Sequence, residues 1–123
     1  MIRGREPSYR LGAANSIAAG NRHHTSVIVY FELQFGANNS PTPHSSRAKL
    51  EKAMSIIAEV HNWNMQDAEI AATLRIYLAK RGEPIGEYDL FIAAQALRLN
   101  FPLVTNNVKH FNCIPSLKVL DWA

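Results

Sequence analysis

The stretch from Leu90 to Leu99 constrains the fold more than any other, because Gln95 and Arg98 are its only polar residues. Such a run predicts a helix that is hydrophobic nearly all round, and a helix of that kind is stable only when buried. Ala93, Ala94 and Ala96 let neighbouring elements come close to its axis. Gly86, just ahead, can take backbone angles that a side chain would forbid. Asp89 then falls in the first helical turn, where unpaired N–H groups and the helix dipole favour an ionised carboxylate. Locally two roles are open to it. The commoner is to complement the dipole; the other is to hold a divalent cation.

The chain has 123 residues, enough for one domain with a real core. Its 47% hydrophobic and 19% charged content is that of a soluble globular protein. No apolar run approaches the roughly 20 residues that span a bilayer, and the N-terminus lacks the apolar block of a signal peptide, so the expected location is the cytoplasm and no membrane partner is expected. Cys113 is the only cysteine, which rules out an intrachain disulfide and reads as a packing residue. His23, His24, His44, His61 and His110 show no His-x-x-x-His spacing, so a structural zinc is not expected. The charge is uneven. Four arginines, Arg3, Arg5, Arg10 and Arg22, stand against Glu6 alone in residues 1–24, and this excess equals the whole net charge of +3. It suits either a polyanion-binding arm or a solvated end.

Residues 1–24 sustain neither a period of two nor one of 3.6; they read as a poorly defined basic segment with a short helix over about 8–19. Thr25 to Gly36 is locally ambiguous. Its β-branched and aromatic residues suit a strand, whereas Ser26 as a cap, Val29 and Leu33 on one face and Gly36 as a stop suit a helix. Glu32 is the only charge in that block, and its local reading is a solvent-facing residue. Asn38 to Ser45 reads as a loop, and Ser46 as the cap of a helix reaching about Glu59. Val60 to Trp63 is a short strand candidate. Asn64 with Asp67 three residues on resembles a helix start, and Lys80, Arg81 and Gly82 a helix end. Phe101 to Thr105 and Ser116 to Leu120 are further strands. Short strands alternating with helices imply a parallel sheet covered on both faces. Functional groups in such folds gather beyond the carboxyl ends of the strands, an edge for which Asp89 and Asn107 are both candidates.

The segments Ile85-Gly86-Glu87-Tyr88-Asp89, Leu103-Val104-Thr105-Asn106-Asn107-Val108-Lys109-His110-Phe111, Ile114-Pro115-Ser116-Leu117 and Asp121-Trp122 resemble the C-terminal half of the VapC toxins, which are PIN-domain ribonucleases. Phe31-Glu32-Leu33-Gln34-Phe35-Gly36-Ala37 is similar to that family's glutamate-bearing helix, which favours helix for Thr25 to Gly36. The likeness runs from Thr25 to Trp122, so residues 25–123 are expected to form the PIN-like domain. It implies a three-layer α/β/α sandwich around a parallel sheet and cleavage of RNA phosphodiesters with Mg2+, or Mn2+ in its place. It further implies Glu32 and Asp89 as metal-binding acids, with Asn107 and Thr105 completing the catalytic site. A cognate antitoxin, a homodimer and a tRNA substrate are implied on the same ground. Mg2+ suits such a site, since it takes hard oxygen ligands and keeps several waters.

The chain departs from the family pattern in two places. Residues 1–24 contain no aspartate, whereas the family opens on an apolar strand ending in one. His110 also stands where an acidic residue is frequent. The expectation is therefore a PIN fold lacking its first strand, unstable alone and weak or inactive as a nuclease. The alternative is a non-catalytic remnant that binds an antitoxin or RNA without cutting. A generic nucleotide-binding domain has little support, because neither Gly-x-Gly-x-x-Gly nor Gly-x-x-x-x-Gly-Lys occurs.

Overall fold

The computed structural model describes residues 23–105 and 107–121. The expected helix over 8–19, residues 1–22 of the basic segment that carries it, Asn106 and Trp122 lie outside them, whereas His23 and His24 of that segment open the first described strand, because their backbone pairs in parallel with residues 57–59. In chain order the elements are β1 (His23–Ser26), α1 (Val27–Asn38), α2 (Pro43–Met54), β2 (Ile57–His61), α3 (Met65–Lys80), α4 (Glu87–Leu99), β3 (Leu103–Thr105), α5 (Val108–Phe111) and β4 (Val119–Asp121).

Several boundaries follow from local chemistry. The ambiguous block beginning at Thr25 is divided between two elements. His23–Ser26 is strand, and Ser26 then caps α1, its hydroxyl accepting from the Ile28 N–H at 3.0 Å. Gly36 does not stop α1, which runs on to Asn38. Helix α2 begins at Pro43 rather than after Ser46, because proline at the first helical position lacks an N–H that would be unpaired anyway. It ends at Met54, which leaves Ile57–His61 free to be β2, earlier than Val60 to Trp63. The start of α3 is as expected. Asn64 and Asp67 form a reciprocal capping box, and Gly82 follows the helix with φ +68°. Helix α4 ends with Asn100 in the left-handed region at φ 57°, while the Phe101 N–H returns to the Ala96 carbonyl at 3.0 Å.

All the strand pairing of the described residues is parallel. β1 pairs with β2 and β3 with β4, and among the described residues no ladder joins the two pairs. Helix α4 lies at the centre of the molecule. Ile92, Ala93, Ala94, Gln95 and Ala96 have no exposed surface, and they share a core with Val29 of α1, Leu74 and Leu78 of α3, Leu103 of β3, and Phe111. Val104 faces the other way, as strand alternation requires, and packs with Ala53 of α2 and with Ile56 and Ile57. Helices thus cover both faces of the strand layer, which makes the architecture a three-layer α/β/α sandwich.

Polar contacts tie the layers together. Arg98 of α4 forms a two-pronged ion pair with the fully buried Asp67 of α3, at 2.5 and 3.2 Å. The buried Gln95 amide donates to the carbonyls of His61 and Asn62 at the end of β2. Trp63 Nε1 donates to the Phe91 carbonyl at 3.1 Å.

Candidate active site

Asp89 stands in the first turn of α4, three residues after Gly86, whose carbonyl accepts from Leu90. A Cβ on Gly86 would come within 3.9 Å of Asp89 Oδ2. The Asp89 side chain is only 12% exposed and its Oδ1 is buried. An ionised carboxylate so poorly hydrated must be compensated by other charges or by N–H donors. One such group is His110 of α5, whose Nε2 stands 2.8 Å from Asp89 Oδ2 in an ion-pair contact.

His110 belongs to a tight local arrangement at the carboxyl end of β3. Thr105 ends that strand fully buried, and its Oγ1 accepts from the Asn107 N–H at 3.0 Å. Asn107 precedes α5, is exposed, and accepts the His110 N–H through its carbonyl at 3.1 Å. Thr105, Asn107, His110 and Asp89 are therefore linked through consecutive contacts. In the sequence His110 stood out only as a missing carboxylate. Its position three residues after Asn107, one turn along a helix, was the available sign that it would face the same site.

Glu32 lies on α1, and there the usual polarity of a helix is inverted. It stands three residues beyond the core residue Val29 and is half-buried, with its Oε1 enclosed. Phe31 and Phe35, by contrast, are 52% and 60% exposed. A solvent-facing role for Glu32 is thus replaced by an inward one. Acids inside and aromatics outside oppose the burial preferences of both residue types, a pattern that marks function over stability. Phe31 meets Tyr88 edge-on at 5.9 Å, and Tyr88 directly precedes Asp89, so the two acid-bearing helices adjoin. Carboxylate oxygens are the hard donors that a divalent cation such as Mg2+ takes.

The PIN-domain family model matches residues 3–113. The chain is 36% identical over 98 residues to the tRNA(fMet)-specific endonuclease VapC of Salmonella typhimurium, covering 80% of this chain and 74% of that protein. It is 35% identical over 106 residues to ribonuclease VapC2 of Rickettsia felis, covering 86% and 78%. Among solved structures, VapBC2 from Rickettsia felis bound to a promoter DNA fragment matches with a TM-score of 0.83 and 32% identity, over 96% of this chain and 87% of that one. DNA-bound VapBC from Salmonella typhimurium matches with a TM-score of 0.82 and 30% identity, over 98% and 88%. The chain belongs to the PIN-domain family, in its VapC branch.

Proposed function

We propose that the protein is a VapC-type ribonuclease, the toxin of a type II toxin–antitoxin pair, and that Glu32 and Asp89 hold the divalent cation it needs. The observation that carries this reading is the pair of half-buried carboxylates on adjoining helices in a chain of VapC descent. Mg2+ is the natural ion for such oxygen donors, with Mn2+ an effective substitute. A cation held there by Glu32 and Asp89 would lower the pKa of a water for attack on phosphorus and offset charge on the phosphate oxygens. Asn107 and Thr105 shape the edge of the site, Asn107 with an exposed amide for the RNA and Thr105 by fixing the turn.

The substrate is RNA, with tRNA favoured by the name of the Salmonella relative. The VapBC complexes among the related structures favour a cognate antitoxin as partner. Phe31, Phe35 and Tyr88, exposed beside the acids, offer it an apolar surface. The protein works as a homodimer in the cytoplasm, where its RNA and antitoxin are; among the described residues no helix is long and apolar enough to cross a membrane.

Catalysis is slow, because His110 stands against one oxygen of Asp89. The same contact favours a second reading, a binding protein without cleavage. The test incubates the full chain with tRNA and with an unstructured RNA, with Mg2+ and with chelator. Slow cleavage that needs Mg2+ and falls at least about 100-fold in Asp89→Asn is expected. Cleavage indifferent to chelator or to Asp89→Asn would refute the site, and tight RNA or antitoxin binding with no cutting would select the second reading.

A further inference from the structure

A second cluster of ligating side chains lies on β1 and β2, sharing no residue with the site of Asp89 and Glu32. Residues two apart on a strand face the same side, so Glu59 and His61 project from one face of β2. The parallel register sets His24 opposite Glu59 and Ser26 opposite His61, which makes His24 the diagonal neighbour of His61. His24 Nδ1 is 2.8 Å from His61 Nε2, and Glu59 Oε2 is 3.1 Å from His61 Nδ1. One ligand atom from each of the three residues lies within 4.8 Å of the others.

The rings are held in place. The two imidazoles stack with centroids 5.0 Å apart, and Phe101 packs against His24 at 4.9 Å and against His61 at 5.9 Å. The His61 side chain is only 16% exposed, while Glu59 is open to solvent at 59%. The Glu59 carboxylate stands against His61 Nδ1 as an ion-pair partner, which favours the tautomer with its proton on Nδ1 and its Nε2 lone pair toward His24. A carboxylate on the far nitrogen of an imidazole is the arrangement that orients and strengthens histidine as a metal ligand.

We propose that His24 and His61 bind a first-row transition metal ion of the Zn2+ or Ni2+ class, with Glu59 orienting His61. Imidazole donors select these ions over Mg2+, so the site does not compete for the cation of the nuclease centre. The ion takes the place of the proton between the two nitrogens, His24 then carrying its ring proton on Nε2, and draws its remaining ligands from water. Because its ligands come from two strands, it fastens β2 to β1.

The test uses the full chain without a polyhistidine tag, stripped with chelator and titrated with Zn2+ by calorimetry, with Co2+ as a visible-absorption probe. With excess Mg2+ present to keep the carboxylate centre occupied, one equivalent per chain is expected, with a rise in Tm. His24→Ala and His61→Ala abolish binding, and Glu59→Gln weakens it by roughly 10- to 100-fold. Asp89→Asn and His110→Ala leave the titration unchanged, which separates this site from the nuclease centre. Glu59 is exposed, so Glu59→Gln folds even if a histidine variant does not, and circular dichroism of each variant verifies this. Absence of saturable binding overturns the proposal, as does binding that survives Glu59→Gln at full affinity or disappears in His110→Ala.

Discussion

The contact between His110 and Asp89 bears on metal binding directly. A cation approaching Asp89 must displace or share the oxygen that His110 Nε2 already faces at 2.8 Å. His110→Ala removes that competitor and leaves the carboxylate in place. We expect it to tighten Mg2+ or Mn2+ binding by roughly tenfold, a modest gain because the histidine is partly solvated. Metal titration of the two proteins checks this, and weaker binding in the variant would mean that His110 positions Asp89 instead of competing for it. At this scale the sequence identified residue types and their helical turn: Asp89 does lie in the first turn of a buried helix. It was silent about the partner, since 21 positions of chain separate the two residues and only the fold brings them together.

Among the elements, α4 behaves as its composition dictates, and its attachment to α3 is the most consequential contact. Asp67 is fully buried and makes both halves of its carboxylate useful, one toward the Asn64 N–H and both toward Arg98. Removing Arg98 strands a buried negative charge. Arg98→Ala should cost about 3–5 kcal/mol of stability, read as a lower urea midpoint, whereas Asp67→Asn with Arg98→Met together should restore much of it. A loss below about 1 kcal/mol in Arg98→Ala would show that the pair is solvated in solution. The capping box at Asn64 and the glycine after α3 were legible because caps depend on residues within a few positions of each other. At the start of α2 such local signals conflict: serine and proline three residues apart both name a helix start, and the proline prevails.

The described residues form two parallel strand pairs, joined where Ile57 of β2 packs in one cluster with Val104 of β3 and where Gln95 of α4 donates to the His61 carbonyl. Leu103 of β3, Phe111 after it, and Val29 of α1 all pack on α4. The protein should therefore unfold in one cooperative step. Phe111, fully buried, reports on this: Phe111→Ala should cost about 3–5 kcal/mol and shift tryptophan fluorescence and far-UV circular dichroism by the same amount. Two separate transitions would show that the strand pairs are held independently.

What the sequence determined by itself is what short-range chemistry determines. The apolar run required a buried central helix, alternation of short strands with helices required a covered parallel sheet, and motifs in the right order carried the likeness to VapC. Tertiary structure decided which side chains meet. It turned Glu32 inward while leaving Phe31 and Phe35 outside, set His110 on Asp89, paired Arg98 with Asp67, and placed His24 against His61 where no metal-ligand spacing had announced it. These contacts join residues from different elements, and their geometry depends on strand register and helix packing, which no local period encodes.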